Sequence, residues 1–277
     1  MVIKSYSKIN LMLKINCKSK NGLHEIQSLF CLINLFDIIK IKKNKIRDKI
    51  RFKGSFSKFI KDKNNSINKV LNHLRKLNLI SNYYSIEVTK NIPVFGGLGG
   101  GTSNAAFMLK YLLKNKISKK LLDELERIIG SDFRLFFKKQ GFLKNLTTII
   151  DLQKKRRLYF LLIQPTIKCS TKEIYSKVKK FSKKEQFNKN IIKSENKFIN
   201  YLTNSRNDLQ FIVERKHPVL KKLLTDIKNE NGCCFSRMTG SGSVCYGLFR
   251  DQIVAKKALN KLKIKYPKFW FSLAKTV

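Results

Sequence analysis

Pro93-Val94-Phe95-Gly96-Gly97-Leu98-Gly99-Gly100-Gly101-Thr102-Ser103-Asn104-Ala105-Ala106 is the stretch on which the fold turns. Five of the chain's thirteen glycines fall in the six positions Gly96 to Gly101. In an ordered element each would cost about 0.5–1 kcal/mol relative to alanine. A flexible loop is the plain reading, yet drift towards Lys and Asn would not gather glycine in one place. Successive glycines let backbone N–H groups turn inward into an anion-binding concavity. The stretch lies between a strand-like run, Tyr84 to Thr89, and a segment where Ala105, Leu109 and Leu112 recur at helical spacing. A helix starting near Thr102 would add its N–H groups and dipole. Thr102 and Ser103 would add hydroxyls for a phosphate or a metal. A Walker A loop is excluded because Thr102, not Lys, follows Gly101. The dinucleotide fingerprint also fails, since counting from Gly97 and Gly99 puts Thr at its third glycine.

Outward from the loop, the first segment alternates. Ile9, Leu11, Leu13 and Ile15 share one face, and Lys8, Asn10, Met12 and Lys14 share the other. This predicts a strand with one buried and one wet face, with Lys8 and Asn10 side by side. Residues 28–41 read as a second strand. Ile67, Val70, Leu71 and Leu74 give 64–79 a helical stripe. Ser118 reads as an N-cap and Gly130 as the stop of a further helix. Residues 156–164 read as a buried strand and 171–230 as a helical, charged middle. A turn-rich motif follows at 237–249, then a helix over 252–263 and a short last strand. The expectation is an α+β fold in two domains, 1–150 and 151–277, with the boundary near 142–156.

The chain has 277 residues, 43% of them hydrophobic, with 20 Phe. That suffices for a proper core and excludes a disordered composition. Lys and Arg number 59 against 18 Asp and Glu, a formal charge of +41. Taken literally, this suggests nucleic acid or an anionic membrane. The basic residues are spread along the whole chain, however, and Arg is scarce beside Lys, although Arg is the better phosphate fork. The expectation is no specific nucleic acid and no membrane partner, with the charge helping to collect anionic substrates. Cys17, Cys31, Cys169, Cys233, Cys234 and Cys245 make no C-x-x-C pair or zinc pattern. Lys8, Asn10 and Lys14 interrupt any apolar leader-like run. Together these features predict a cytoplasmic protein; monomer or homodimer is the accompanying expectation.

The glycine stretch resembles the phosphate loop of the GHMP kinase superfamily. Its doubled-glycine form is similar to the 4-diphosphocytidyl-2-C-methyl-D-erythritol kinase family. Further pieces carry the likeness in the family's order. Ser7-Lys8-Ile9-Asn10-Leu11 resembles A-K-I-N-L, and Gly22-Leu23-His24-Glu25-Ile26-Gln27-Ser28-Leu29-Phe30 resembles G-Y-H-E-L-Q-T-L-F. Gly130-Ser131-Asp132 resembles G-A-D, Asn207-Asp208-Leu209 resembles N-D-L, and residues 237–242 resemble R-M-S/T-G-S/T-G. The resemblance implies a two-domain GHMP kinase fold. Its N-terminal, ATP-binding domain would be like the second domain of ribosomal protein S5, and its C-terminal domain ferredoxin-like. It implies transfer of the γ-phosphate of ATP, with Mg²⁺ on the polyphosphate, to the 2-hydroxyl of 4-diphosphocytidyl-2-C-methyl-D-erythritol in the non-mevalonate isoprenoid pathway.

The resemblance also implies roles. Asp132 would be the catalytic base and Lys8 the lysine beside it. On the residues alone, Asp132 reads equally as a helix-boundary carboxylate and Lys8 as one more surface lysine. Pro93, Gly96, Gly97, Leu98, Gly99, Gly100, Gly101, Thr102, Ser103 and Asn104 would hold ATP, with Asn65 on the adenine side. Asn65 also reads as a solvated loop residue before a helix. Asn10, Leu23, His24, Thr171, Tyr175, Thr239, Gly240, Ser241 and Gly242 would bind the acceptor. No protein cluster is expected to hold a metal by itself. Three departures stand out: Leu23 where the family has Tyr, Phe133-Arg134 where it has V-P, and Lys144 to Thr147 where it has a glycine-rich segment. Two other functions remain open. One is a GHMP kinase for another small alcohol, such as homoserine or mevalonate. The other is a decayed basic protein that binds RNA or a membrane.

Overall fold

The computed structural model describes residues 1–277 except 20, 21, 23, 61–64, 115, 153 and 154. Leu23 therefore lies outside the described residues. Two compact units interleave along the chain. The first comprises Met1–Lys8, Leu35–Val94 and Gly99–Lys138, and the second Ile9–Asn34, Phe95–Leu98 and Lys139–Val277. Strand β1 (Val2–Lys18) and its partner β2 (His24–Asn44) both run through both units.

In the first unit, β2 pairs antiparallel with β4 (Tyr83–Thr89), from Ile38 opposite Thr89 to Asn44 opposite Tyr83. Strand β3 (Lys49–Lys53) runs parallel to β4 on its other edge. Helix α1 (Ser66–Lys76) starts where Asn65 accepts the Asn68 N–H at 3.0 Å, and it buries Ile67, Val70, Leu71 and Leu74, the stripe read from the sequence. Helix α2 (Gly100–Leu112) follows the glycine run, and Met108 joins Ile39, Ile41, Ile67, Leu71, Tyr84, Ile86 and Val88 in one core. Helix α3 (Lys119–Ile129) is capped by Ser118 and ends at Gly130. A short 3₁₀ turn, Phe133–Phe137, follows Asp132 and buries Phe133, Leu135 and Phe136.

In the second unit, β2 pairs antiparallel with β5 (Gln140–Asn145), and β5 with β6 (Thr148–Asp151). Asn145 makes the turn between them, its side chain accepting the N–H groups of Thr147 at 3.0 Å and Thr148 at 2.9 Å. That side chain does what glycines would otherwise do, which accounts for a tight turn without a glycine-rich segment. A separate antiparallel sheet has the order β10-β7-β9-β8, from β7 (Tyr159–Gln164), β8 (Cys233–Met238), β9 (Cys245–Phe249) and β10 (Trp270–Lys275). The helices between β7 and β8 are α4 (Thr171–Ser176), α5 (Glu195–Asn204), α6 (Gln210–Lys216) and α7 (Pro218–Lys228). Helix α8 (Gln252–Lys265) joins β9 to β10. This is the β-α-β-β-α-β ferredoxin-like pattern. The chain is α+β.

Several local expectations need correction. The face of β1 that was expected to be wet is buried: Lys8, Asn10 and Met12 are enclosed along with Ile9, Leu11 and Leu13. Polar residues at period two mark a wet face only when nothing covers it, and here hydrogen-bonded partners do. Helix α2 begins at Gly100, two residues ahead of Thr102, with Gly99 as its N-cap residue in the left-handed region. The middle region is less helical than expected, with residues 177–188 lacking regular elements. All six cysteines are free thiols. Among the described residues no helix is long and apolar enough to cross a membrane.

Candidate active site

Two clusters of the expected site residues are described, one in each unit. In the first unit, Gly99 adopts φ 70° and ψ 26°, a conformation that glycine reaches without penalty. A Cβ there would also lie 2.8 Å from the Phe136 ring and 3.4 Å from Lys8 Cε. Ser103 N–H closes the first helical bond onto the Gly99 carbonyl at 2.8 Å. The N–H groups of Gly100, Gly101 and Thr102 therefore precede the intrahelical ladder, as at any helix start. Asp132 sits at the start of the 3₁₀ turn that carries Phe136. Its carboxylate accepts from the Lys8 ammonium at 3.0 Å, with the lysine side chain 2% exposed and the carboxylate 33% exposed. A buried ammonium against a part-open carboxylate leaves the carboxylate able to meet a substrate hydroxyl.

Two more contacts hold the turn that bears Asp132. Lys110 donates to the Phe136 carbonyl at 2.6 Å, and its ammonium also lies against the Phe107 and Phe137 rings. Burial brings the Lys110 pKa down to about 8. Arg134 donates to Asp123 at 2.6 Å and to Glu126 at 2.8 Å, both on α3. Burial outweighs Arg134 in pushing the Glu126 pKa up. Phe133-Arg134 thus replaces V-P with a buried ring and an ionic clamp.

Two residues expected at the phosphates are engaged elsewhere. The Ser103 hydroxyl is fully buried, donates to the Tyr6 carbonyl at 2.6 Å and lies 2.6 Å from Ser5 Oγ. It does not point a free hydroxyl at a phosphate or metal. The Asn104 amide is bound to Lys90, Asp37 and Ser5. The Asn65 side chain caps α1. Thr102 is half-buried and Gly101 exposed at the loop's open side, whereas Pro93 is buried.

In the second unit, the carbonyls of Phe95 and Gly96 accept the N–H groups of Ser243 at 2.9 Å and Val244 at 3.3 Å. A Cβ on Gly97 (φ 72°) would lie 2.2 Å from the Thr239 carbonyl oxygen. Only glycine allows this approach between the first half of the loop and the turn Thr239–Gly242. Leu98 is buried beside it. Thr239 Oγ1 accepts the Asn10 N–H at 3.0 Å, and Asn10 Nδ2 donates to Ser28 Oγ at 2.8 Å. Thr171 and Ser241 hydroxyls meet at 2.9 Å. The His24 ring lies 5.3 Å from that of Tyr175 and 6.4 Å from that of Phe181. Burial, with Lys18 adding to it, lowers the His24 pKa.

Sequence reasoning found these residues but missed their supports. Asn207 donates to the carbonyls of Met238 and Gly240, both at 2.8 Å, and so shapes the Thr239 turn. Asp208 accepts the Ile15 N–H at 2.8 Å and the Ser182 hydroxyl at 2.6 Å. Arg237 is buried and donates to the carbonyls of Leu11, Leu202 and Ser205, while the Tyr246 hydroxyl donates to the Asn10 carbonyl at 3.2 Å. The N-D-L and R-M motifs were the signal for this work. Among the described residues, no group of three or more His, Cys, Asp or Glu could hold a metal ion.

Residues 65–133 match the model of the GHMP kinases N terminal domain, and residues 187–268 match GHMP kinases C terminal. The 4-diphosphocytidyl-2-C-methyl-D-erythritol kinase of Pelagibacter ubique is 38% identical to this chain, covering 99% of it and 98% of the relative. The enzyme of that name from Anaplasma marginale is 31% identical, covering 97% of this chain and 94% of the relative. The crystal structure of a 4-(cytidine 5'-diphospho)-2C-methyl-D-erythritol kinase superposes with TM-score 0.75 at 21% identity, covering both chains completely. That of a homoserine kinase from Cytophaga hutchinsonii superposes at 0.66 with 17% identity, over 100% of this chain and 94% of the other. The two structural likenesses carry the fold. The sequence relatives carry more: the protein is a small-molecule kinase, and it belongs to the 4-diphosphocytidyl-2-C-methyl-D-erythritol kinase family of the GHMP kinases.

Proposed function

We propose that this kinase transfers the γ-phosphate of ATP to the 2-hydroxyl of 4-diphosphocytidyl-2-C-methyl-D-erythritol, a step of non-mevalonate isoprenoid synthesis. The observation that carries the reading is the Lys8–Asp132 pair at 3.0 Å, set against the Gly99 cap of α2. In the proposed step, Asp132 takes the hydroxyl proton as the oxygen attacks the γ-phosphorus. The bond from the γ-phosphorus to the β–γ bridging oxygen breaks, and ADP leaves with that oxygen. The proton passes from Asp132 to solvent. Lys8 pairs with the Asp132 carboxylate at 3.0 Å and offsets charge on the transferred group.

The N–H groups at the start of α2 would take up phosphate oxygens. Because the Ser103 hydroxyl is committed to Tyr6, backbone groups and Thr102 carry this role in our reading. Mg²⁺ fits as an ion carried by the polyphosphate, since it keeps several waters and needs only one or two carboxylates. Among the described residues no acidic cluster would hold the ion by itself. The ion would shield charge on the phosphates. His24 and Tyr175, with Phe181 beside them, form an aromatic patch suited to a cytosine ring. Asn10, Thr171 and the turn Thr239–Gly242 offer polar groups to the acceptor. We assign residues 1–150 to the ATP-binding domain and 151–277 to the C-terminal domain. We place the protein in the cytoplasm as a monomer or homodimer, with no specific nucleic-acid partner.

The test is ATP consumption with 4-diphosphocytidyl-2-C-methyl-D-erythritol and with the uncytidylated methylerythritol phosphate, in wild type and Asp132→Asn. Turnover is expected only with the cytidylated acceptor. The variant should lose about 10²–10⁴-fold in kcat, the usual worth of a general base. Equal turnover of both acceptors, or an unimpaired variant, would overturn the reading.

A further inference from the structure

Beneath the start of α2 lies a buried polar network that the proposed chemistry does not use. Lys90 is 1% exposed and Asp37 0%. The Lys90 ammonium donates to Asp37 Oδ2 and, at 2.9 Å, to Asn104 Oδ1. Asn104 Nδ2 donates to Asp37 Oδ2 and Ser5 Oγ, both at 3.0 Å. Asp37 Oδ1 accepts the N–H groups of Asn91 at 2.8 Å and Ile92 at 2.9 Å. Ser5 Oγ lies 2.6 Å from Ser103 Oγ, whose proton goes to Tyr6. Every polar atom of the Asn104 amide and of the Asp37 carboxylate is therefore engaged.

The network joins four pieces of the first unit. Ser5 is on β1, Asp37 on β2, Asn91 and Ile92 lead into the glycine run, and Ser103 and Asn104 lie in the first turn of α2. Burying an ion pair is a poor route to stability, because desolvation offsets much of the attraction. What it does supply is one fixed geometry, since each member loses its partner if another moves. The atoms it holds are the chain entering the loop and the helical turn whose N–H groups open towards it.

We propose that Lys90, Asp37 and Asn104 are positioning residues that set the direction of the α2 N-terminus and so tune its grip on the phosphates of ATP. They act through the backbone of residues 91–104 and touch no ligand themselves. The inference rests on the reading of the loop as a phosphate cradle. It predicts a selective defect, in which the phosphate part of nucleotide affinity falls and the adenosine part is kept.

The experiment measures Kd for ATP and for adenosine by calorimetric titration, in full-length wild type, Asn104→Leu and Lys90→Met, with thermal unfolding of each. Wild type should bind ATP well above adenosine. In folded Asn104→Leu the ATP Kd should rise about tenfold, the consequence of a lost buried hydrogen bond to a charged group. Adenosine should change less than about twofold. KM for ATP should rise while KM for the acceptor stays constant. If the variants do not fold, Ser5→Ala removes one acceptor of the Asn104 amide and answers the same question with a smaller shift. Wild type that binds ATP no tighter than adenosine would sink the phosphate-cradle reading. A tight wild type, with variants that keep ATP affinity or lose both ligands in parallel, would sink the positioning inference alone.

Discussion

Gly99→Ala is the substitution with the clearest expected cost. Gly99 has φ 70°, and its new Cβ would stand 2.8 Å from Phe136 Cζ and 3.4 Å from Lys8 Cε. The left-handed conformation costs an L-residue about 1–2 kcal/mol. Forcing a methyl into a packed site adds about 1–3 kcal/mol, so the expected destabilisation is about 2–5 kcal/mol. To regain an ordinary contact of 3.4 Å, the Phe136 ring must retreat by several tenths of an ångström. That ring belongs to the turn that begins at Asp132, so the base moves relative to Lys8. A misplacement near 1 Å costs about 100-fold in rate, and turnover should fall between about tenfold and that limit. Gly101→Ala is the internal control. Its Cβ would meet only Ser66 Oγ at 3.6 Å, in an exposed helical position. Ala is the better helix former there, by about 0.8–1 kcal/mol. Urea unfolding and kcat measured on both variants decide the matter. A Gly99→Ala protein as stable as Gly101→Ala, or as active as wild type, would refute the packing argument.

Two further outcomes follow from the supports of the site. Asn207→Leu strands two buried backbone carbonyls, and at about 1–3 kcal/mol for each unsatisfied group it should destabilise by about 2–6 kcal/mol in urea unfolding; a loss under about 1 kcal/mol would mean water takes over the amide's bonds. Lys110 titrates in the folded protein near 8 instead of 10.5. The folded state thus gives up this proton first, the charge penalty is fully present below about pH 8, and stability rises between about pH 8 and 10.5. The neutral amine can still donate to Phe136. Unfolding free energies of wild type and Lys110→Met, compared at points across that window, should draw apart in favour of wild type as pH rises, and a constant difference would refute the shift.

Much of this molecule was legible because local rules and packing agree. The α1 stripe Ile67, Val70, Leu71 and Leu74 is the buried face, and Ser118 and Gly130 bound α3 as caps should. The glycine run was legible too, but for a mixed reason. Gly97 and Gly99 are required by positive φ and close approach, whereas Gly101 meets neither condition. Two supports escaped notice because their partners are distant in sequence. Asn104 reaches back 99 residues to Ser5, and Asp37 reaches 53 residues forward to Lys90. No period or cap rule reports such contacts.

The lysine-rich composition hid the site more than it revealed it. Fifty-nine Lys and Arg make any one lysine uninformative by type. Burial separates them. Lys8 and Lys90 are enclosed, and each faces a carboxylate, Asp132 and Asp37 respectively. A fully buried ammonium is costly without such a partner. An exposed lysine needs none, so drift can place it on almost any tolerant surface position. The 18 acidic residues therefore carry the sharper signal in this chain: a carboxylate kept against a +41 background, buried or half-buried beside one lysine, marks a place where the charge is doing chemistry or holding geometry. Asp132 is the first kind in our reading and Asp37 the second. Their variants should accordingly part in kinetics, with Asp132→Asn lowering kcat at unchanged ATP affinity and Lys90→Met lowering ATP affinity first.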